Sequence, residues 1–290
     1  GSDTLFGNQG NDTFIYRNGD GSDLIDGGAG RDRLEISGGD ALTVNLAAGT
    51  AKGAAAGTAI LISIEDVFGA SGNDVFTGNA ASNFLDGDFG NDKLDGRGAG
   101  TDILDGGEDN DVYVIDAGDT IFDASGIDLV RSSSISLDLA SLAGGALEKA
   151  QLLGTANLNI TGNSGANVIT GNLGKNTLTG GADDDTFVFN TKLNSTKADI
   201  ITDFNRIDDA MHLQNTGSGL FTGLADGALG AAFFKSNATG TATDSNDRIV
   251  YNRTTGDLFF DSNGSGAGGA IKFATLSNKA VITAAEFFVI

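Results

Sequence analysis

The chain has 290 residues, of which 39 are acidic and 17 are basic, and its formal net charge is −22. So acidic a chain is a poor partner for nucleic acid or for an anionic membrane surface. With no Cys and a single His, it cannot form disulfides, an HExxH protease site or a zinc site built from several His or Cys residues.

Nine-residue units recur in three blocks along the chain. In order they are DTLF, GNQGNDTFI, NGDGSDLID and GGAGRDRLE within 1–35; GASGNDVFT, GNAASNFLD, GDFGNDKLD, GRGAGTDILD and GGEDNDVYV within 69–114; and GNSGANVIT, GNLGKNTLT and GGADDDTFV within 162–188. The eighth place is always apolar, as Leu5, Phe14, Ile25, Leu34, Phe76, Leu85, Leu94, Leu104, Tyr113, Ile169, Leu178 and Phe187. The sixth place is Asp, except where it is Asn83, Asn167 or Asn176.

The segments between and after these blocks lack the nine-residue pattern. Residues 36–68 alternate around Val44, Ile60 and Ile62, which predicts strands that continue the same architecture without the Gly- and Asp-rich turns. Residues 116–161 are predicted to do the same, and Glu65 and Glu148 are interpreted as solvated turn charges rather than ligands. After the third block the period ends, and DRIVYNRTTGDLFFD predicts a hairpin.

The predicted domain organisation follows from where the nine-residue pattern begins and ends. It consists of repeat block 1 (1–35), a β spacer (36–68), repeat block 2 (69–115), a second β spacer (116–161), repeat block 3 (162–189) and a C-terminal β domain (190–290).

A short fixed period predicts a solenoid, because each unit can bury its apolar residue only by stacking on its neighbours. Three residues around that position form a strand, and the Gly-rich six before it turn. With two units per coil, the fold is an all-β, right-handed parallel β-roll. Asp74 and Asp92 then stack about 4.8 Å apart. Two carboxylates at that distance repel by about 3 kcal/mol at an effective dielectric of 20.

A hard divalent cation resolves this repulsion. Calcium takes six to eight oxygen ligands, and turn carbonyls together with Asp carboxylates supply that type of ligand. Magnesium demands tighter octahedral geometry, and zinc or copper prefers nitrogen and sulfur. The sequence therefore predicts several bound Ca²⁺ ions in the repeat blocks and calcium-free strands in the spacers 36–68 and 116–161.

The units resemble the RTX (hemolysin-type) calcium-binding nonapeptide, GGxGxDxUx with U apolar, over 1–35, 69–114 and 162–188. The resemblance implies that each ion lies between a turn and the turn one coil later. The earlier turn gives the carbonyls of its second and fourth places and its Asp, and the later turn gives the carbonyls of its first and third places and its Asp.

Applied to the residues of this chain, the resemblance implies four ligand sets that have a sixth-place Asp in both turns. They are Ala70, Gly72 and Asp74 with Gly87, Phe89 and Asp92; Asp88, Gly90 and Asp92 with Gly106, Glu108 and Asp111; Asn8, Gly10 and Asp12 with Gly27, Ala29 and Asp32; and, more weakly, Gly1 and Asp3 with Asn18, Asp20 and Asp23. Two further sets lose one carboxylate and are expected to be weaker or empty. They are Asn79, Ala81 and Asn83 with Gly96, Gly98 and Asp102; and Asn163, Gly165 and Asn167 with Gly180, Ala182 and Asp185.

The chain departs from the family pattern at a few places. Asp109 and Asp183 replace the fourth-place Gly, unit 96–105 has an extra residue, and Tyr16 with Arg17 lengthens the spacing between Asp12 and Asp32. The ligand register is expected to change there.

No catalytic constellation is visible, so the chain itself is expected not to be an enzyme. His212 lies between Met211 and Leu213, which predicts a strand residue rather than a member of a catalytic triad. The chain begins in mid-repeat, without Met and without an N-terminal signal peptide, so it is expected to be part of a longer protein whose active region lies elsewhere.

The C-terminal 190–290 region is similar to the C-terminal domain of bacterial type I secreted proteins. In those proteins the uncleaved export signal often ends in an acid followed by apolar residues, as in Glu286-Phe287-Phe288-Val289-Ile290. The favoured function is a secreted, extracellular or cell-surface module that passes through the type I secretion machinery and folds on binding calcium. The alternative is a calcium-dependent surface or matrix protein that binds polysaccharide or self-assembles. No transmembrane segment is expected, and the charge disfavours a pore-forming role.

Overall fold

The structure is a computed structural model that describes residues 1–17, 19–53, 57–216 and 220–290. Within them the chain is almost entirely β and forms a parallel β-solenoid, as the repeats predict. It divides into two compact units, residues 1–132 with 141–147 and residues 133–140 with 148–290. No helix in these ranges is long and apolar enough to cross a membrane.

The first unit contains fifteen of the described strands and a short 3₁₀ helix. They are β1 (Thr4–Phe6), β2 (Thr13–Tyr16), β3 (Leu24–Asp26), β4 (Arg33–Ile36), β5 (Leu42–Asn45), β6 (Thr50–Gly53), β7 (Thr58–Ile62), β8 (Asp66–Ser71), β9 (Val75–Thr77), β10 (Phe84–Phe89), β11 (Lys93–Asp95), β12 (Ile103–Asp105), β13 (Val112–Val114), β14 (Thr120–Phe122), β15 (Leu129–Ser132) and η1 (Leu142–Gly145). One sheet has the order β1-β3-β7-β6-β5-β9-β11-β13-β15, and the other has the order β14-β12-β10-β8-β4-β2.

Successive nine-residue units alternate between these two sheets. Phe76, Leu94 and Tyr113 are aligned on β9, β11 and β13, whereas Leu85 and Leu104 are aligned on β10 and β12. All five side chains are fully buried. Two units therefore make one coil, and equivalent turns of neighbouring coils meet at the same edge.

The first spacer differs from the predicted continuation of the solenoid. Strands β5 and β7 pair in parallel with β9 and β3, but β6 is antiparallel to both β5 and β7. The chain here forms a meander rather than another parallel coil. The reason is the short connection between β5 and β6, which reverses through Gly49 at φ 64° and leaves too few residues for a crossover.

The second unit contains the remaining described strands and two 3₁₀ helices. They are β16 (Leu137–Asp138), β17 (Lys149–Leu152), β18 (Asn159–Thr161), β19 (Val168–Thr170), β20 (Thr177–Thr179), β21 (Thr186–Phe189), β22 (Asp199–Ile201), β23 (Ala210–Leu213), β24 (Gly227–Ala228), η2 (Ala231–Phe233), β25 (Phe234–Asn237), β26 (Ile249–Asn252), β27 (Asp257–Asp261), β28 (Ala270–Leu276), η3 (Ala284–Glu286) and β29 (Phe287–Val289). Its sheets have the orders β17-β19-β21-β23-β29-β24 and β16-β18-β20-β22-β28-β27-β26-β25.

Parallel stacking continues past the point where the sequence period ends. Strands β22 and β23 pair in parallel with β20 and β21, although their spacing is no longer nine residues. The predicted hairpin is present as β26 and β27, which are antiparallel and joined through Gly256 at φ 83°. His212 lies in β23 with its ring 5.6 Å from that of Phe288, so its prediction as a strand residue is confirmed.

Candidate metal centre

A ladder of hydrogen bonds joins the sixth-place residues of successive coils. In each case the backbone N–H of one residue donates to a carboxylate oxygen of the residue one coil later. The predicted partners joined in this way are Asp3 with Asp23 (2.8 Å), Asp12 with Asp32 (2.7 Å), Asp74 with Asp92 (2.6 Å), Asn83 with Asp102 (2.7 Å), Asp92 with Asp111 (2.7 Å) and Asn167 with Asp185 (2.9 Å). The structure thus brings together the sixth-place residues of all six predicted sets.

The ladder uses one oxygen of each carboxylate. The Oδ2 atoms of Asp12, Asp32, Asp92, Asp102 and Asp111 are buried and have no hydrogen-bond partner. An unpartnered buried carboxylate oxygen is costly, because the charge has lost its water and gained nothing in return. These atoms are the strongest structural indication of a cation at the turns.

The first-place glycines lie directly beside these oxygens. A Cβ added at Gly27, Gly87, Gly106 or Gly180 would collide with Oδ2 of the Asp in the same turn, and at Gly96 it would lie 3.0 Å from Oδ2 of Asp102. The absence of a side chain at the first place therefore leaves room for a ligand beside the carboxylate.

Carbonyl oxygens of each turn also approach the turn one coil later. A Cβ added to a glycine of the later turn would collide with one of these carbonyls, which belong to Asn8, Gly10, Gly72, Asn79, Asp88 and Asn163. The turns also stack in register, because the third-place residues of successive turns form parallel bridges, Gln9 with Ala29 and Phe89 with Glu108. Ala70 pairs with Asp88 one coil later, as β8 runs beside β10.

The stacking of the turns shifts by one residue in the unit with the extra residue, where a change of register is expected. The carbonyl of Asn79, in the second place, lies against Gly98 in the third, and the carbonyl of Ala81, in the fourth place, lies against Gly100 in the fifth. In the regular units such carbonyls lie against the same place of the next turn.

Burial and mutual repulsion raise the pKa values of the ladder acids. Burial raises the pKa of Asp92 to about 8, with further increases from the charges of Asp74 and Asp111. Burial likewise raises the pKa of Asp102 to about 6 and those of Asp111 and Asp185 to about 7. Without a counter-charge, the fold disfavours the ionised carboxylates that it places together.

In the two predicted sets that contain Asn83 and Asn167, side-chain amide hydrogen bonds stand where the other sets have a second carboxylate. The side-chain amide of Asn83 donates to the carbonyl of Glu65 at 2.7 Å, and its oxygen accepts from the N–H of Asn79 at 2.8 Å. Asn167 donates to Asn163 Oδ1 at 3.2 Å and accepts from the Asn163 N–H at 2.8 Å, and the Gly165 N–H donates to Asn163 Oδ1. These two sets therefore each present one carboxylate fewer to a cation, and their weaker calcium binding stays a prediction.

The set nearest the N-terminus is only partly defined. Asp3 and Asp23 are joined in the ladder, and Asp20 accepts the backbone N–H of Arg17 at 2.9 Å. Asn18, another predicted ligand of this set, lies outside the described residues.

Backbone hydrogen bonds also join adjoining turns of two other predicted sets. The N–H of Ala29 donates to the carbonyl of Asn8 (2.8 Å), and the N–H of Ala182 donates to the carbonyl of Asn163 (3.4 Å).

Sequence reasoning missed several acids that continue the ladder. Each of them accepts the backbone N–H of a ladder residue through one carboxylate oxygen. The pairs of acceptor and donor are Glu65 Oε2 with Asp32, Asp119 Oδ1 with Asp102, Asp128 Oδ1 with Asp111, Asp199 Oδ1 with Asn176, and Asp209 Oδ1 with Asp185. Glu65 is therefore not merely a solvated turn charge, and the second spacer is not free of ladder acids. All five lie two places before a buried apolar residue, and this spacing could have revealed them where the glycines are missing.

The available ligands fit calcium. The turns offer carboxylate and carbonyl oxygens and no nitrogen or sulfur donor, which matches a hard cation rather than zinc or copper. A family model described as the RTX calcium-binding nonapeptide repeat (4 copies) matches residues 1–20, 19–40, 65–97, 98–113 and 159–190. No sequence among the curated proteins matches the chain.

Proposed function

Because the chain carries RTX calcium-binding nonapeptide repeats in a parallel β-solenoid, we propose that it is the calcium-folded module of a larger secreted bacterial protein. It would leave the cell through a type I secretion machinery and fold outside. The observation that carries this proposal is the set of buried Oδ2 atoms without partners, which make the folded state dependent on a cation.

Thermodynamic linkage explains how such a dependence serves export. Extracellular calcium modules bind with dissociation constants of about 10⁻⁴–10⁻³ M, far above the calcium concentration of a cell interior. Repulsion between the ladder acids then keeps the chain open and able to thread a secretion channel. Outside the cell, calcium binds only the folded state and stabilises it by an amount that increases with each site.

The C-terminal residues support a role that precedes folding. Glu286 closes a capping box with Thr283, whose N–H donates to the Glu286 carboxylate at 2.6 Å, and Phe287 and Val289 are buried. A terminus packed in this way is accessible to a transport receptor only while the chain is unfolded. An export signal here would therefore be read before calcium folds the module.

Export of the full chain from a bacterium with a type I secretion machinery tests this role. We expect the double variant Glu286→Ala/Phe287→Ala to remain inside the cell. The matched control is Val281→Ala, because Val281 is 65% exposed in the same segment. Equal export of the double variant and the wild type would exclude a signal at these residues.

The module itself is proposed to have no catalytic activity, and any activity of the parent protein would lie in another region. The second candidate function is calcium-dependent self-association or polysaccharide binding. It is favoured by β14, an edge strand on which Phe122 is 52% exposed. Sedimentation velocity with and without calcium tests it, because a calcium-loaded monomer that binds no glycan would exclude this candidate.

A further inference from the structure

Three carboxylates meet where repeat block 2 adjoins the second spacer, between two turns for which the sequence predicts no ion. Ligand oxygens of Asp111, Asp123 and Asp128 all lie within 4.8 Å of one another. Asp111 precedes β13, Asp123 follows β14 and Asp128 precedes β15, so they come from two successive turns. The repeat family match ends at residue 113, before two of the three.

The turn at 123–128 stacks on the turn at 106–111 in the register of the repeats. Glu108 and Ser125 form a parallel bridge that continues the one between Phe89 and Glu108. The Asp111 N–H donates to Asp128 Oδ1 at 2.6 Å, which is another step of the ladder. The two turns therefore have the arrangement of a metal-binding pair, although the second has lost its opening glycine.

A buried, unpartnered oxygen points to a ligand at this cluster. Asp111 is 1% exposed, and its Oδ2 has no hydrogen-bond partner. A Cβ at Gly106 would collide with this Oδ2 and with Oη of Tyr113. At Gly126, a Cβ would collide with the Asp109 carbonyl oxygen and lie 2.7 and 2.8 Å from the Asp128 carboxylate oxygens. Carboxylate and carbonyl oxygens thus converge on the gap between the turns.

Asp123 distinguishes this cluster from the other turn pairs. It occupies the first place of its turn, where the repeats have Gly, and so adds a side-chain oxygen to the ladder acids. Tyr113 Oη donates to Asp123 Oδ1 at 2.8 Å, which orients the carboxylate and leaves its second oxygen available. Burial raises the pKa of the Tyr113 phenol, and the Asp123 charge raises it further, so the phenol is a donor at neutral pH.

We propose that Asp111, Asp123 and Asp128, with the carbonyl of Asp109, bind one additional Ca²⁺ ion, and that Tyr113 positions Asp123 for it. The site rests on the proposed calcium dependence of the module. Three carboxylates around one ion give it a higher ligand charge than the two-carboxylate turn pairs. Ligand charge increases calcium affinity, so this site is expected to fill before the others.

Tyrosine-sensitised terbium luminescence can observe this site through Tyr113, by comparison of the wild type with a variant that lacks the phenol. The chain has no Trp and three Tyr, and Tyr113 contacts a proposed ligand directly. Tyr251 instead donates to the Ala280 carbonyl. We expect the first Tb³⁺ equivalent to give strong emission in the wild type and to lose most of it in Tyr113→Phe, which retains all three carboxylates.

Calcium calorimetry of Asp123→Asn is the matching test. The variant is expected to bind this ion about tenfold more weakly and to keep the other sites. Its control is Asp184→Asn, which removes one charge from an exposed side chain that belongs to none of the ligand sets and is expected to bind as the wild type does. The proposal is overturned if Asp123→Asn binds every ion as the wild type does, or if Tyr113→Phe leaves the first-equivalent emission intact. A wild type that binds no calcium would instead overturn the proposed function.

Discussion

The backbone N–H of Asp74 donates a 2.6 Å hydrogen bond to Oδ1 of Asp92, while Oδ2 of Asp92 is buried without a partner. The same carboxylate therefore joins two coils and presents an uncompensated oxygen to the space between turns. Since Asp92 also donates its own N–H to Asp111, it belongs to two of the predicted calcium sets. The most informative substitutions are those that change this balance.

Asp92→Asn is expected to change stability in opposite directions in the two calcium conditions. In chelator, removal of one buried charge relieves repulsion from Asp74 and Asp111, so the β signal of the calcium-free chain should stay constant or rise. In millimolar calcium the free energy of unfolding should fall, by about 3–5 kcal/mol if the variant leaves a bound cation poorly matched. Far-UV circular dichroism in chelator and urea unfolding in calcium measure the two effects. Asp184→Asn, an exposed carboxylate in another turn, is the control and should leave the β signal unchanged and shift the free energy of unfolding by no more than about 0.5 kcal/mol.

The calcium-free chain is expected to lose stability as pH rises. Burial raises the pKa of Asp92 to about 8 and that of Asp111 to about 7 in the folded state, whereas unfolded Asp titrates near 3.9. The folded chain therefore binds more protons over roughly pH 4–8, and its stability must fall through that window. Far-UV circular dichroism in chelator between about pH 5 and 8 measures this as a loss of folded chain with rising pH. Stability that increases over that range would show that these acids are not buried together.

Calcium binding is expected to release protons from the same acids. A cation favours the ionised carboxylates and lowers their pKa values, so binding near pH 6–7 must displace protons from Asp92 and Asp111. Calorimetry in two buffers of different ionisation enthalpy measures the number released. Binding with no buffer dependence at that pH would show that these acids are already ionised before calcium binds.

Asn83→Asp is expected to create a stronger calcium site. The substitution removes the amide that donates to the Glu65 carbonyl and restores the sixth-place carboxylate. In chelator the chain should lose about 1–3 kcal/mol of stability, because two oxygens then face each other without a hydrogen. In calcium it should bind one more ion by calorimetry. Unchanged stoichiometry would mean that the register shift at Gly98 disables the turn.

Gly30→Ala is expected to be far more damaging than Gly10→Ala. Both glycines have positive φ, 148° and 115°, so either Ala costs about 1–2 kcal/mol in backbone strain. A Cβ at Gly30 also collides with the Gly10 carbonyl, whereas a Cβ at Gly10 meets nothing within 4 Å. Thermal unfolding in calcium should therefore rank Gly30→Ala below Gly10→Ala. Equal losses would indicate that the two turns do not stack as described.

The repeats predict most of the solenoid because each unit carries its own turn and buried apolar residue. Asp74 and Asp92 could be paired by counting residues alone. The antiparallel direction of β6 could not be predicted, because alternation indicates a strand without giving its direction. Asp128 was missed because Asp123 replaces the opening glycine, so that only Gly126 and the buried Val130 preserve the pattern around it. The use of the Asn83 amide in place of a cation depends on the Glu65 carbonyl, which sequence spacing does not locate.

A calcium titration of the purified chain from a chelated start tests the central claim most directly, with far-UV circular dichroism and calorimetry as the two readouts. Because the ladder acids are buried with unpartnered oxygens, we predict a cooperative gain of β signal, several ions bound and no equivalent response to magnesium. A chain that is already folded in chelator and takes up calcium without heat would contradict the account, and the Asp ladder would then act only as turn capping.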